Sequence, residues 1–421
     1  MATRDPSRRT RTPEPGPGAI LRAVTEPDTK PDASAPESSR AWDIVVFGAT
    51  GFAGRLIAGY LDQHAPKHLR LAIAGRDPNK LGEIAAGLDR PFGKLVASVD
   101  DPGSLRAMAA SARVVLTTVG PYARLGEPVV AACVAAGADY LDLTGEPAFV
   151  DRIRAKYQEA ARASGSLVIH CCGFDSIPTD LGVLYTIKQL PGGLPITIDG
   201  YFEGKAGFSG GTFASALGAL AERRQPRVPR PSTLATDRVV KRQRERPHYH
   251  KALRRWALPL PTIDPQIALR SARARADYGP EFRYGHYMAT RSLSTLVGTV
   301  AGIGVLALLA RTAPTRALLL RLRPSGTGPD EATRGKSWYR FTFFGRAGDT
   351  RVVTEVAGGD PGYEETARMA GESALCLALQ RDQLRESSGI QTTATAMGEL
   401  LLARLQAAGM SFRVTEGGLG T

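Results

Sequence analysis

Six short apolar runs recur between residues 43 and 173 of the 421-residue chain, each followed by a segment long enough for a helix. This alternation constrains the fold more than any other feature, because strands separated by helices and apolar on both faces predict a parallel sheet covered on both sides. The runs are DIVVFGA (43–49), LRLAIAG (69–75), KLVASVD (94–100), RVVLTTVG (113–120), YLDLTG (140–145) and SLVIHCCG (166–173). The fold class that follows is α/β, a Rossmann-like doubly wound parallel sheet, with ligands outside the carboxyl ends of the strands. With 43% hydrophobic residues, the chain can fill a sizeable core.

The alternation begins at Trp42 and stops near residue 190. Residues 1–40 are rich in Pro, Ser, Thr and charge and lack the apolar stretch of a secretory signal, so they read as a disordered tail. Residues 41–190 read as the nucleotide-binding domain and 191–421 as a second, α+β domain. Within it, ITIDGYFEG reads as a strand, SGGTFASALGALAE as a small-residue helix, and 338–359 as a hairpin turning at Gly345 to Asp349. Helical patterns over 363–381 and 394–408 follow, with the option that they pack back on the first domain. Between Arg291 and Arg311, residues 292–310 carry no charge and read as an apolar helix. Three placements stay open for it: inserted in a membrane surface, spanning a bilayer, or packed inside the protein.

The first run ends in GATGFAG, where Gly48, Gly51 and Gly54 recur every third residue between strand and helix. Either the loop holds the phosphates of a dinucleotide or it only turns a buried strand into a helix. In the first case Gly48 allows the tight turn, Gly51 lets the backbone approach a pyrophosphate and Gly54 lets helix and strand pack closely, with Thr50 and Phe52 as neighbouring contacts. The spacing is one residue wider than the GxGxxG form. After the second strand, Arg76 stands where an acid would bind the ribose hydroxyls of NAD, and an arginine suits a 2′-phosphate, which favours NADP(H). The alternative is an exposed arginine beside Asp77. Asp100 would border the adenine, although a helix cap explains Asp100 or Asp101 equally well. Gly120 and Pro121, after the fourth strand, complete the expected cofactor contacts.

Three loops leave the later strands where a nicotinamide would lie: TTVGPYARLGEP, LDLTGEP and CCGFDSIPTD. Their polar members include Tyr122, Arg124, Asp142, Thr144, Glu146, Asp175 and Ser176, a set suited to moving protons and holding a carbonyl. The catalytic candidates are Tyr122, Asp142 and Asp175. Rival roles exist, since Asp175 or Ser176 ahead of Pro178 can cap a helix, and so can Glu146 ahead of Pro147. His170, inside an apolar run, reads as a core histidine. Cys133, Cys171, Cys172 and Cys376 are too irregularly spaced for a disulfide framework, and no spacing suggests a metal site. A reduced, cytoplasmic setting follows.

Taken together, GATGFAG, AGR, VLTTVGPYARLGEPVVAACVAAGADYLDLTGE and GFDSIPTDLG, followed by GTGPDEATRGKSWYRFTFFG, GDPGYEETARMAGESALCLAL and TATAMGELLLARL, resemble the saccharopine dehydrogenase-like oxidoreductases. Within them the sequence is most similar to the trans-acting enoyl reductases of bacterial complex-lipid synthesis. The resemblance implies an NADP-linked reductase that serves a polyketide synthase and reduces an α,β-unsaturated acyl thioester held on an acyl carrier protein. Such a site delivers hydride to the β-carbon, stabilises an enolate oxygen and protonates the α-carbon. Tyr122 is the expected proton donor or enolate hydrogen bond, with Asp142 and Asp175 positioning the substrate or the nicotinamide amide. Two alternatives remain, a saccharopine-type dehydrogenase or imine reductase, and a non-catalytic NADP-binding protein at a membrane. For the first of these the loops supply only Arg124 to hold a substrate carboxylate.

Lys and Arg number 54 against 41 Asp and Glu, a formal charge of +13, which calls for an acidic partner such as a phospholipid surface, a phosphorylated cofactor or an acidic protein. No nucleic-acid-binding motif accompanies the charge. Much of it lies in 223–255, read as a solvated loop or as a docking site for a carrier protein or membrane. Peripheral attachment to the inner face of the plasma membrane, and an oligomer, are both compatible with this reading.

Overall fold

The computed structural model describes residues 40–205 and 238–419, apart from 311, 313, 314, 316, 317, 320–334 and 386. The expected tail, save Arg40, lies outside the described residues, as do the helix expected over 209–222 and the 223–237 part of the basic stretch.

From Arg40 onward the chain forms one compact unit built on two sheets. The first holds β1 (Trp42–Phe47), β2 (Leu71–Gly75), β3 (Gly93–Val96), β4 (Ala112–Thr117), β5 (Asp139–Asp142), β6 (Leu167–Ile169) and, from near the carboxyl end, β14 (Gly389–Gln391). Their order is β14-β6-β5-β4-β1-β2-β3 and every pairing is parallel, with Ile44 of β1 opposite Leu71 on one side and Val114 on the other. The first six strands thus take the 3-2-1-4-5-6 order of a dinucleotide-binding fold. Side chains alternate between two buried faces, Ile44, Val46, Leu116 and Leu141 on one and Val45, Phe47, Val115 and Tyr140 on the other. All six expected strands are present, but five of them end two to four residues earlier than their apolar runs. The backbone leaves the sheet where Gly48 and Cys171 adopt φ of +93° and +62°, so these carboxyl-terminal residues line loops instead.

Helices α1 (Phe52–His64), α2 (Pro78–Ala86), α3 (Pro102–Ser111), α4 (Tyr122–Ala136), α5 (Pro147–Ser164) and α6 (Ile177–Ile187) follow the strands in turn. The second sheet is mixed, built from β7 (Ile196–Lys205), β8 (Val239–Arg242), β9 (His248–His250), β10 (Arg255–Pro259), β11 (Glu281–Thr290), β12 (Trp338–Ala347), β13 (Thr350–Gly358) and β15 (Ser411–Gly417). The order is β15-β13-β12-β7-β11-β10-β9, with β8 also beside β11. The described part of the basic stretch therefore supplies β8, β9 and the start of β10 rather than a loop throughout. The β12–β13 hairpin turns at Gly348 and Asp349, where Gly348 has φ +57°; Gly345 lies inside β12, opposite Val352.

The remaining helices are α7 (Asp264–Ala274), α8 (Leu293–Leu309), α9 (Glu364–Gln380), α10 (Thr393–Ala396) and α11 (Gly398–Ala407). The single helix expected over 394–408 is broken at Gly398, whose φ is +42° and whose absent Cβ leaves room for the Arg275 guanidinium. That buried cation donates to Ala394 O and pairs with Glu399 and Asp277, so three segments meet on it. Helix α9 lies along α1, where Tyr60 donates to Glu372 at 2.7 Å and Gly371 admits the Tyr60 ring. Among the described residues no helix is long and apolar enough to cross a membrane. Nor is α8 a core helix, since Val297, Val305 and Leu308 on it are exposed.

Candidate active site

The glycines each answer to a steric demand. A Cβ on Gly48 would lie 2.6 Å from Thr118 Oγ1, and one on Gly54 would lie 2.3 Å from Gly48 O, so α1 packs directly on the turn that precedes it. Gly51 caps α1 without a side chain, and no acid occupies the first turn, which leaves the helix's positive end facing the loop. Helices α2 and α3 differ, because Asp77 accepts from Asn79 N and Lys80 N, and Asp101 accepts from Gly103 N and Ser104 N. Asp77 is thereby committed to its own helix, and Arg76 is exposed beside it at the end of β2, with no ion pair among the described residues. Asp101 rather than Asp100 caps α3, leaving the Asp100 carboxylate exposed at the end of the β3 loop. A turn that a Cβ would fill, a helix end without a competing acid and an exposed arginine fit a 2′-phosphorylated dinucleotide. Thr50 and Phe52 lie in the same turn, and Gly120 and Pro121 in the loop after β4.

The loops after β5 and β6 meet through Asp142. Its wholly buried carboxylate accepts from Thr144 N and Cys171 N on one oxygen, and contacts Tyr140 OH at 2.9 Å and His170 Nδ1 at 2.7 Å on the other. Four contacts hold it as a clamp between two loops, and it fixes the backbone of Cys171 in its left-handed conformation. His170 is the buried histidine expected, at 1% exposure. Tyr122 is equally committed: its hydroxyl donates to Thr117 O at 3.1 Å and accepts from Leu143 N at 3.3 Å, joining the ends of β4 and β5. Burial, with Asp142 as the next cause, pushes that phenol well above its ordinary range. Glu146 stands at the N-cap of α5, as its place before Pro147 suggests, but its side chain caps α4, accepting from Tyr122 N and Ala123 N.

Asp175 differs from both. It caps no helix: Ser176 is the N-cap of α6, and its own Oγ is buried without a hydrogen-bond partner. The Asp175 carboxyl, half-buried, lies against Gly145, where a Cβ would come within 2.8 Å of Oδ1. Burial, then the charges of Asp264 and Asp142, with Glu146 adding a smaller push, raise its pKa to about 7. Of the three catalytic candidates it alone makes no side-chain hydrogen bond to another residue among the described residues.

Two neighbours come from the second half of the chain. Asp264, at the start of α7, is 5% exposed, with Oδ1 unpartnered and Oδ2 3.7 Å from Nε2 of the buried His286 on β11. His286 Nδ1 meets Tyr284 OH at 2.9 Å, and burial lowers its pKa, so the ring is neutral. Sequence reasoning missed both residues. Asp264 before Pro265 reads as an ordinary helix start, and only the packing of α7 against α6, where Ser271 donates to Asp180, brings its charge to Asp175.

Residues 44–169 match the saccharopine dehydrogenase NADP binding domain family. A Mycobacterium tuberculosis protein is 38% identical over 424 residues, covering 89% of this chain and 98% of its own length. Trans-acting enoyl reductases of Mycobacterium tuberculosis and Mycobacterium ulcerans are 37% and 35% identical, each covering 90% of this chain and 99% of its own length. In fold, the chain is similar to the apo saccharopine dehydrogenase (L-Glu forming) of Saccharomyces cerevisiae, with a TM-score of 0.54 and 13% identity over 89% of this chain and all of that one.

Proposed function

Because the chain belongs to the trans-acting enoyl reductases, NADP-dependent oxidoreductases with a saccharopine dehydrogenase-like fold, we propose that it reduces an α,β-unsaturated acyl thioester presented by an acyl carrier protein of a polyketide synthase. The kinship spans nearly the whole of both chains, and it carries the choice of reaction. NADP(H), when bound, supplies the hydride. Gly48, Gly51 and Gly54 with the amino end of α1 hold its pyrophosphate, Arg76 its 2′-phosphate, and Thr50, Phe52, Asp100, Gly120 and Pro121 flank the remaining parts.

In this reading Asp175 is the proton donor to the α-carbon, the role that sequence alone gave to Tyr122. A carboxyl with pKa about 7 is protonated in a large share of molecules at neutral pH. Being neutral before transfer, it does not oppose the negative charge that develops on the thioester oxygen. Afterwards the carboxylate regains a proton from solvent through its exposed part. Tyr122 and Asp142 act as positioning residues: one ties β4 to β5, the other ties the β5 and β6 loops, and between them they set where Asp175 points.

The purified chain should oxidise NADPH with a trans-2-enoyl thioester and not with an imine formed from an amino acid and an oxo acid. Turnover of the imine alone would replace this reading by the saccharopine-type one. Binding of NADPH without turnover of either would leave a non-catalytic protein. The proposal extends to peripheral attachment at a membrane, which would bring the site to lipid-like substrates.

A further inference from the structure

Helix α8 turns several of its apolar residues outward. Leu293, Val297, Val305 and Leu308 are 48%, 60%, 57% and 60% exposed, and a Cβ on Gly298, Gly302 or Gly304 would meet nothing within 4 Å. At about 100° per residue, the exposed positions from Leu293 to Leu308 sweep roughly 200° of the helix surface. A second copy of the chain, or another folded protein, packs on a ridge of a helix. An uncharged surface more than half the circumference wide suits instead a medium that closes around it, which is hydrocarbon.

The surrounding sequence names the kind of lipid. No charged residue occurs from Ser292 to Ala310, Arg291 stands immediately before, and Arg311, Arg316, Arg321 and Arg323 follow before the first acid, Asp330. Arginines that bracket an uncharged stretch in the sequence complement phosphate headgroups. At 1.5 Å per residue the 17 residues of α8 reach about 25 Å, short of the ~30 Å hydrocarbon core, so the helix lies in the interface and does not cross it. We propose that α8 inserts into an anionic lipid surface, embedded at the boundary between headgroups and acyl chains with the exposed Arg291 at its start against the phosphates. This proposal stands apart from the reaction chemistry and holds whichever substrate the site reduces.

Flotation of the full chain with phosphatidylglycerol–phosphatidylcholine vesicles tests it, with pure phosphatidylcholine vesicles and the variant Val297→Asp/Val305→Asp alongside. The expected result is co-flotation of the wild-type chain with the anionic vesicles, and at least a fivefold smaller bound fraction for the double variant and for neutral vesicles. NADPH binding, read by its fluorescence, should be equal in both proteins. If the double variant fails to bind NADPH, Leu308→Asp is the variant that decides. A wild-type chain that stays unbound, or variants that float as well as it does, would overturn the proposal. A dimer that the aspartates dissociate, with no flotation, would give the surface to a second copy instead.

Discussion

Replacing Asp175 with Asn should make the protein more stable and nearly inactive at the same time. Its carboxyl pKa is raised from 3.8 to about 7, mainly by burial and then by Asp264 and Asp142. A shift of that size corresponds to ~4 kcal/mol at ~1.4 kcal/mol per unit. That is the expected cost of ionising the carboxyl in the folded chain. The folded pKa lies above the unfolded one, so the cost is absent below about pH 4, grows as pH rises, and is complete above about pH 7. The Asn variant carries no such charge. Its advantage over the wild type should be near zero at pH 4 and approach ~4 kcal/mol at pH 8, seen as a thermal midpoint higher by several degrees. Loss of the proton donor should lower kcat with an enoyl thioester by roughly 10²- to 10⁴-fold. Midpoints for both proteins at several pH values, with turnover on the same samples, check this. An advantage that does not grow with pH, or a variant that turns over at the wild-type rate, would refute the reasoning.

Arg76→Ala should raise KM for NADPH by about 10- to 100-fold, the loss of a charged contact worth ~1.5–3 kcal/mol, and leave KM for NADH nearly unchanged. Equal effects on the two coenzymes would remove Arg76 from the 2′-phosphate. Tyr122→Phe deletes a buried hydroxyl that serves Thr117 O and Leu143 N, so it should destabilise the chain by about 1–3 kcal/mol, measured by urea unfolding. Turnover should stay within about tenfold of wild type, and the loss of activity as pH rises through about 7 should persist. A fall in kcat as large as that of Asp175→Asn would return the proton to Tyr122.

What the sequence made legible is what depends on near neighbours. The six strands announce themselves because each is a local apolar run, and the glycine turn because Gly48, Gly51 and Gly54 meet only atoms of the same strand–helix unit or of the adjoining strand's loop. Arg76 is readable because its place after β2 is fixed by two elements of known order. By contrast, β14 is three residues long, with no periodicity to detect, yet it extends the first sheet beside β6. The break at Gly398 follows from Arg275, more than a hundred residues earlier. The proposed exchange of roles between Tyr122 and Asp175 has the same origin. A tyrosine after a glycine–proline pair looks available until Thr117 O and Leu143 N are seen to occupy it, and the proton affinity of Asp175 depends on charges at 142, 146 and 264 that no local pattern brings together.

The central claim is an enoyl reduction in which hydride comes from the nicotinamide and the proton from solvent by way of Asp175. Mass spectrometry and proton NMR of the saturated thioester, formed with NADPH deuterated at the transferable position and separately in deuterated water, test it directly. The account predicts one deuterium at the β-carbon in the first experiment and one at the α-carbon in the second, with both products formed roughly 10²- to 10⁴-fold more slowly by Asp175→Asn. NADPH that stays unoxidised beside the enoyl thioester, or deuterium from the coenzyme at any other carbon, would contradict it.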